Sequence, residues 1–263
     1  MSDEFTLDML DIPSGWRRGE GDWTAVAAAL AKGETVEVIQ EVGSTLWQNS
    51  LPEKHSLYWE GENLSNIKAR IWISFTQRRF SPESALPKVQ WHPRVLWIGI
   101  GCERGTDREL IETAIKQVCR AYHLAESAIA GIATIDTKAG EVGLLELCQA
   151  RNWPLQTFAA DILSSVEVPN PSNIVVKQVG TASVAEAAAL CAVREENLTA
   201  DEREYTQISI NHRRSSALIS GSHPLLVPKQ IFRTKNPPLS QGGVRAGSAV
   251  TVAVAVGPIE YLG

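Results

Sequence analysis

The chain beyond residue 94 alternates between two hydrophobic patterns. Residues 95–100 form a near-continuous apolar run, which is typical of a strand buried on both faces. From residue 107 to residue 122, apolar side chains recur at three- and four-residue spacing, which predicts an amphipathic helix. Further strands are predicted at 129–135, 155–158, 173–179, 224–232 and 249–256, and helices at 138–151, 160–166 and 184–194. This alternation predicts an α/β fold, a layered sheet with flanking helices.

The first part of the chain predicts a smaller α/β domain. Asp22 begins a helix that Gly33 ends, and strands are expected at 35–40 and 69–75 with a short helix at 45–49 between them. Residues 76–93 are rich in polar, basic and proline residues, which indicates a connector. We therefore expect one domain over 1–93 and a second over 94–263.

Two late stretches depart from this regular pattern. Residues 195–222 are polar, and residues 236–247 are rich in proline and glycine. Both are expected to form long surface loops.

Composition narrows the class of protein. The chain has 263 residues and a net charge of −5, which argues against a broad basic surface for nucleic acid. Its N-terminus lacks the pattern of a secretory signal, and no apolar run approaches the roughly 20 residues of a membrane span. The four cysteines and five histidines show no metal-ligand spacing. We expect a cytoplasmic protein without a bound metal or cofactor, and without nucleic-acid or membrane partners.

The loop from Gly99 to Thr106 joins a buried strand to a helix start, where free backbone N–H groups favour an anion. Thr106 and Glu109 match a capping box, which predicts that the helix starts near residue 107. The glycine spacing fits neither a dinucleotide-binding loop nor a P-loop. A tight turn without a ligand accounts for the same residues.

A second loop, Gly180 to Ser183, has the same position between a strand and a helix. Ser183 and Glu186 also match a capping box, and capping alone accounts for both residues. The two helix starts are expected to meet at the carboxyl edge of one sheet, where α/β proteins bind ligands.

A third segment places Asp136, Lys138 and Glu141 after the strand at 129–135. Asp136 is either an N-cap or a general acid or base. Lys138 and Glu141 form either a solvated pair or, if they face a site, a point charge for a carboxylate and a second acid–base group.

In combination, these segments resemble the CbiG/CobE family of cobalamin-biosynthesis proteins. The residues that carry the resemblance to its C-terminal domain are VLWIGIGCERGT at 95–106, ATIDTK at 133–138 with Glu141, VGTASVAEAA at 179–188, LVPK at 226–229 and TVAVA at 251–255. Residues 15–23 and 72–82 resemble the middle domain of CbiG. The Gly-His-x-Gly-Gly loop of the family's N-terminal domain has no counterpart, so we expect that domain to be missing or supplied by another polypeptide.

The resemblance implies hydrolysis of cobalt-precorrin-5A, with opening of the ring-A δ-lactone and release of acetaldehyde. It implies that Asp136 or Glu141 acts as the acid–base group and that the cobalt belongs to the substrate. The substrate-binding residues would be Gly99, Gly101, Cys102, Arg104, Gly105, Thr106, Lys138, Gly180, Thr181, Ser183 and Glu186. The alternatives are a non-catalytic corrinoid carrier of the CobE type and an unrelated nucleotide binder. The expected partners are the tetrapyrrole and other enzymes of the pathway.

Overall fold

The computed structural model describes residues 7, 15–61, 66–81, 85–169, 183–204, 224–233 and 248–257, with the side chains of 183–204 described to residue 194. These residues form two five-stranded sheets, with strand orders β1-β5-β4-β2-β3 and β8-β7-β6-β10-β9. None of the described helices is long and apolar enough to cross a membrane.

The first sheet is built on a parallel core. Strands β2, β3, β4 and β5 pair in parallel, and β1 pairs antiparallel with β5. Helix α1 covers one face, where Leu30 packs with Val38 and Ile71 in a buried cluster. The elements are β1 (Arg17–Gly21), α1 (Trp23–Ala31), β2 (Val36–Gln40), a 3₁₀ turn (Leu46–Ser50), β3 (Leu57–Trp59), β4 (Ala69–Ile73) and β5 (Lys88–His92).

The second sheet is mixed. Strands β6, β7 and β8 are parallel, whereas β10 pairs antiparallel with both β6 and β9. Its elements are β6 (Leu96–Cys102), α2 (Arg108–Ala121), a 3₁₀ turn (Glu126–Ala128), β7 (Ile129–Ile135), a 3₁₀ turn (Asp136–Lys138), α3 (Val142–Arg151), β8 (Leu155–Phe158), α4 (Ala160–Ser164), α5 (Val184–Glu204), β9 (Leu225–Arg233) and β10 (Ala249–Val256).

The two faces of this sheet carry different helices. Ile98 and Ile100 point to the side of α2 and α3, where they join a cluster with Ile111. Trp97, between them in sequence, points to the other side and packs against the alanines of α5. Alternate residues of a strand face opposite sides, so the fully apolar run of β6 reflects burial on both. The predicted α/β layering is therefore confirmed.

Two predicted irregular stretches are partly wrong. The connector expected over 76–93 contains strand β5, whose Val89 is fully buried on the α1 face. The loop expected from residue 195 begins later, because α5 continues to Glu204. The apolar periodicity ends near residue 194, so the sequence pattern alone does not carry the helix further. The predicted strand at 173–179 lies outside the described residues.

Main-chain contacts join the two sheets. Thr76 forms an isolated antiparallel bridge with Leu124, and the Gln77 N–H donates to the His123 carbonyl at 2.7 Å. The Ala125 N–H donates to the Phe75 carbonyl at 2.9 Å. The segment after β4 is thereby attached to the turn that follows α2. The division into two domains at residue 93 stays a prediction.

Candidate functional site

A cleft of about 550 Å³ lies at the carboxyl ends of β6 and β7, where α2 and α3 begin. The residues that line it are Arg104, Gly105, Thr106, Asp107, Arg108, Thr137, Gly140, Glu141, Val142, Gly143 and Glu146. The position is the one at which open α/β sheets commonly bind ligands. The loop at 99–106 and the segment at 133–141 thus meet at one place.

The start of α2 is capped differently from the sequence prediction. Asp107 is the N-cap, and its carboxylate accepts the Leu110 N–H at 2.8 Å. Thr106 is buried, and its hydroxyl donates to the Glu103 carbonyl at 2.8 Å. The predicted capping box of Thr106 and Glu109 is therefore wrong, because the neighbouring aspartate is the capping residue.

The starts of α2 and α3 touch through a glycine. A β-carbon on Gly143 would lie 2.3 Å from the Thr106 carbonyl oxygen and 2.9 Å from the Arg108 nitrogen. A side chain at this position would therefore push the two helix starts apart. Gly143 was not selected from the sequence, although a glycine at the second position of a helix is a signal for close backbone approach.

Glu141 connects the two loops. Its carboxylate accepts the Gly105 N–H at 2.8 Å and the Lys138 ammonium at 2.9 Å. The Gly105 hydrogen bond, aided by Lys138 and by the charge of Arg104, holds the pKa of Glu141 below its ordinary value, although burial opposes this shift. Gly105 has φ of +73°, a conformation that favours glycine, and this orients its N–H toward the carboxylate. Glu141 is therefore anionic and already partnered, which suits it to positioning the loops more than to donating a proton.

Asp136 is exposed and lies in the 3₁₀ turn that follows β7. The N-cap position of α3 is occupied by Glu141, so the interpretation of Asp136 as an N-cap is wrong. The next residue, Thr137, lines the cleft. Asp136 itself is not among the residues that line the cleft, and its role as an acid–base group stays a prediction.

Cys102 and Arg104 have different environments within the same loop. Burial raises the pKa of the Cys102 thiol to about 11, so it stays protonated near neutral pH. Arg104 is exposed and lines the cleft. Within the described residues no carboxylate forms an ion pair with Arg104, whereas Arg108 lies 3.6 Å from Glu112. Arg104 is the cation in the cleft most accessible to an incoming carboxylate.

Gly99 and Gly101 lie away from the cleft. A β-carbon on Gly99 would lie 1.8 Å from the Ala185 carbonyl oxygen, so this glycine lets α5 approach β6 closely. A β-carbon on Gly101 would lie 2.4 Å from the Thr251 hydroxyl, which donates to the Gly101 carbonyl. Both glycines face the α5 side and serve packing there.

The second predicted loop does not contribute to the cleft among the described residues. Gly180 and Thr181 lie outside them. Ser183 is buried, and the fully buried Glu186 accepts the Lys229 N–H at 3.0 Å, where the pairing of β9 with β10 is irregular. Among the described residues, α5 begins beside Gly101 near the carboxyl end of β6, on the face opposite to α2. The expected meeting of the two helix starts in one pocket stays a prediction, because the loop at 180–182 lies outside the described residues.

Several cleft residues were not selected from the sequence as binding residues. They are Asp107, Arg108, Thr137, Gly140, Val142, Gly143 and Glu146. Arg108 follows Arg104 by four residues. Because Arg104 lies in the loop before α2, this spacing alone does not indicate that the two side chains share a surface. Among the described residues, no cluster of three or more His, Cys, Asp or Glu side chains is suited to holding a metal ion.

An α/β sheet with a charged cleft at the carboxyl ends of its parallel strands defines a ligand-binding α/β protein. Comparison with protein families then identifies the family to which the chain belongs. The family model described as Cobalamin synthesis G C-terminus matches residues 96–255, and the model described as Cobalamin biosynthesis central region matches residues 5–93. The first match covers more than half of the chain, so the chain belongs to the CbiG family of cobalamin-biosynthesis proteins.

Two curated relatives are cobalt-precorrin-5A hydrolases. The protein of Priestia megaterium is 28% identical over 181 residues, which cover 66% of this chain and 48% of the relative. The protein of Salmonella typhimurium is 33% identical over 129 residues, which cover 49% of this chain and 36% of the relative. The chain thus matches about half or less of the length of these relatives.

Solved structures from the same pathway also resemble the chain. CobE, known from a crystal structure, has 23% sequence identity to this chain. The match covers 61% of this chain and 93% of CobE, with a TM-score of 0.42. A putative cobalamin biosynthesis protein G homolog from Sulfolobus solfataricus is 16% identical with a TM-score of 0.37, over 88% of this chain and 54% of that one.

Proposed function

We propose that this protein binds cobalt-precorrin-5A in the cleft at the starts of α2 and α3 and takes part in its hydrolysis. The family membership and the names of the two curated relatives support this assignment. The reaction opens the δ-lactone of ring A and releases acetaldehyde. The cobalt is carried by the substrate.

The observation that carries the proposal is Arg104, exposed in the cleft and without an ion-pair partner among the described residues. The substrate is a polycarboxylate, and a guanidinium can bind a carboxylate through two parallel hydrogen bonds. Arg108 lines the same cleft four residues further on. Glu141 fixes the main chain between these arginines and α3, so the cation is presented from an ordered loop.

The chemistry divides into two balanced steps. Water adds to the lactone carbonyl, and the carbon–oxygen bond breaks to give a carboxylate and a free hydroxyl on the two-carbon bridge. Removal of that hydroxyl proton then breaks the bond between the bridge and the macrocycle. The bridge leaves as acetaldehyde, and the electron pair stays on the macrocycle carbon, which takes up a proton.

Asp136 is the candidate acid–base group for these proton transfers, because it is exposed and adjoins Thr137, which lines the cleft. Glu141 is a positioning residue in this scheme, since its carboxylate is occupied by Gly105 and Lys138. Lys138 is correspondingly held in an ion pair, so its contribution to the substrate carboxylates is smaller than that of Arg104.

A second function is a corrinoid carrier of the CobE type, which would bind the tetrapyrrole without converting it. One observation favours it: the only carboxylate that bridges the two cleft loops, among the described residues, is held ionised and partnered. A general acid for the leaving hydroxyl needs a proton near neutral pH, and Glu141 does not retain one.

Titration of the purified chain with cobalt-precorrin-5A, followed by visible absorbance, tests binding. We expect a saturable spectral change that weakens in Arg104→Gln and is kept in Arg120→Gln, an exposed arginine near the other end of α2. Absence of any spectral change would contradict both functions. Trapping of acetaldehyde as a hydrazone then separates them: stoichiometric or catalytic release supports the hydrolase, and tight binding without release supports the carrier.

A further inference from the structure

Two exposed aliphatic side chains lie near the start of α3, and the first of them lines the cleft. On α3, Val142 is 66% exposed and Leu145 is 46% exposed. Residues three positions apart lie on the same side of a helix, so the pair forms one apolar patch. Val142 lines the cleft, and so does Glu146, one helical turn further on. The patch therefore lies along the α3 side of the opening.

The remaining exposed large apolar side chains are scattered over the described residues. They are Leu46, Tyr58, Tyr122, Ile162 and Ile231, each on a different element. Isolated apolar residues of this kind are common on protein surfaces. The pair on α3 is different because two of them share one helix face at the edge of a cavity.

The surroundings of the pair are charged. Arg104 and Arg108 line the cleft on the α2 side, whereas Val142 lines it on the α3 side. The α2 side thus offers two guanidinium groups beside Asp107, and the α3 side offers the aliphatic surface of Val142 beside Glu141 and Glu146. Asp107 and Glu141 already accept hydrogen bonds from the protein, from the Leu110 N–H and from Gly105 and Lys138. A ligand that fits both has a flat apolar body with carboxylates around its edge.

We infer that Val142 and Leu145 form an apolar shelf for the macrocycle of a polycarboxylate tetrapyrrole, while its carboxylate arms meet Arg104 and Arg108. The inference rests on the proposed function and specifies which part of the substrate meets which residues. Covering the shelf removes aliphatic surface from water, which favours binding without a directional contact.

The test is a double variant, Val142→Thr with Leu145→Gln, titrated with cobalt-precorrin-5A by visible absorbance. Both side chains are exposed, so the fold is expected to keep its thermal unfolding midpoint. Loss of most of the aliphatic contact should weaken affinity by about tenfold. The matched control is Ile162→Gln, which replaces a side chain of similar exposure on α4, and it should leave affinity unchanged.

Salt dependence distinguishes the shelf from the arginines. The double variant should lose the same factor of affinity at low and high salt, because burial of aliphatic surface is not screened. Arg104→Gln should lose more at low salt. Unchanged affinity in the double variant, an equal loss in Ile162→Gln, or a loss confined to low salt would each overturn the shelf. Failure of the unaltered protein to bind would instead overturn the proposed function itself.

Discussion

Small residues have different roles on the two faces of the second sheet. On the α5 face, Gly99 and the alanines of α5 bring a helix into direct contact with β6, which leaves no room for a ligand between these two described elements. On the α2–α3 face, Gly105 and Gly143 shape two loops around an open cleft. Gly99 and Gly105 are close in sequence but have unrelated roles, because they lie on different faces of the sheet.

The largest difference between the faces should appear in stability. Gly99→Ala places a methyl group against the Ala185 carbonyl and forces α5 to move, so we expect a loss of about 3 kcal/mol in the free energy of unfolding. Gly105→Ala meets no atom within 4 Å but must keep φ of +73°, so its cost should be about 1 kcal/mol. Urea unfolding of both variants measures the contrast. Equal losses would show that α5 does not pack as tightly as described.

Ligand binding, in contrast to stability, should depend on the α2–α3 face. Arg104→Ala should weaken binding of cobalt-precorrin-5A by about 1–3 kcal/mol if the guanidinium pairs with a desolvated carboxylate. The unfolding midpoint should be unchanged, because Arg104 is exposed and without an ion-pair partner among the described residues. Absorbance titration measures the effect, with Arg120→Ala as the matched exposed arginine. Wild-type affinity in Arg104→Ala would remove this residue from the site.

Glu141 should affect stability and binding together. Glu141→Gln keeps the shape of the side chain but removes the negative charge that accepts hydrogen bonds from Gly105 and Lys138. We therefore expect the free energy of unfolding to fall by about 1 kcal/mol. The reaction should respond through a higher KM more than a lower kcat, since the residue positions the loop. Glu167→Gln, at an exposed glutamate after α4 that is not among the residues lining the cleft, is the control and should change neither. A fall in kcat at unchanged KM would instead identify Glu141 as the proton-transfer group.

The pH dependence of stability should reflect the ion pairs between α2 and α3. Hydrogen bonds from Lys116 and then Arg151 lower the pKa of Glu112 from 4.5 to about 2. Because the folded-state pKa is depressed, the unfolded chain takes up the proton first as pH falls. The stabilisation is therefore complete above pH 4.5 and is lost progressively between about 4.5 and 2.

Unfolding curves at about pH 6 and about pH 3, one above this window and one inside it, measure the loss. Glu112→Gln should show a smaller difference between the two pH values than the unaltered chain. Glu109→Gln, an exposed glutamate in the first turn of α2, is the control. An identical difference in the Glu112 variant would mean that Glu112 pairs with neither Lys116 nor Arg151 in solution.

The smallest effect is expected at Cys102. Its thiol has a pKa raised to about 11 by burial, so Cys102→Ala should leave acetaldehyde release unchanged, and iodoacetamide should label the residue slowly at pH values near neutral. Rapid labelling would show a reactive thiolate at Cys102, and loss of release in the variant would show that the side chain is needed for the reaction.

The parallel core of the second sheet could be predicted from the sequence because β6 and β7 are buried on both faces, and a short continuous apolar run is typical of such a strand. The cleft loops could be located for a related reason, since each follows one of these strands. The face that each helix covers could not be predicted, because the sequences of α2 and α5 both follow apolar runs and begin with similar candidate capping residues. The choice of face depends on chain connections and on contacts such as Gly99 against Ala185, which no local pattern reveals.

The cap of α2 illustrates the limit at single-residue scale. Thr106 and Asp107 are adjacent and both are good N-caps, so the pattern could not choose between them. The fold selects Asp107 because Thr106 is buried against Glu103 and its carbonyl lies beside Gly143. Tertiary contacts thus decide between local options of similar quality.

Helix α2 begins in the cleft and ends at the bridge where Thr76 meets Leu124. Its 14 residues span about 21 Å, so this helix connects the cleft with the segment that is attached to the first sheet. A movement of this helix along its axis would have to break main-chain hydrogen bonds at its far end. The attachment to the first sheet therefore restrains the position of the α2 start in the cleft.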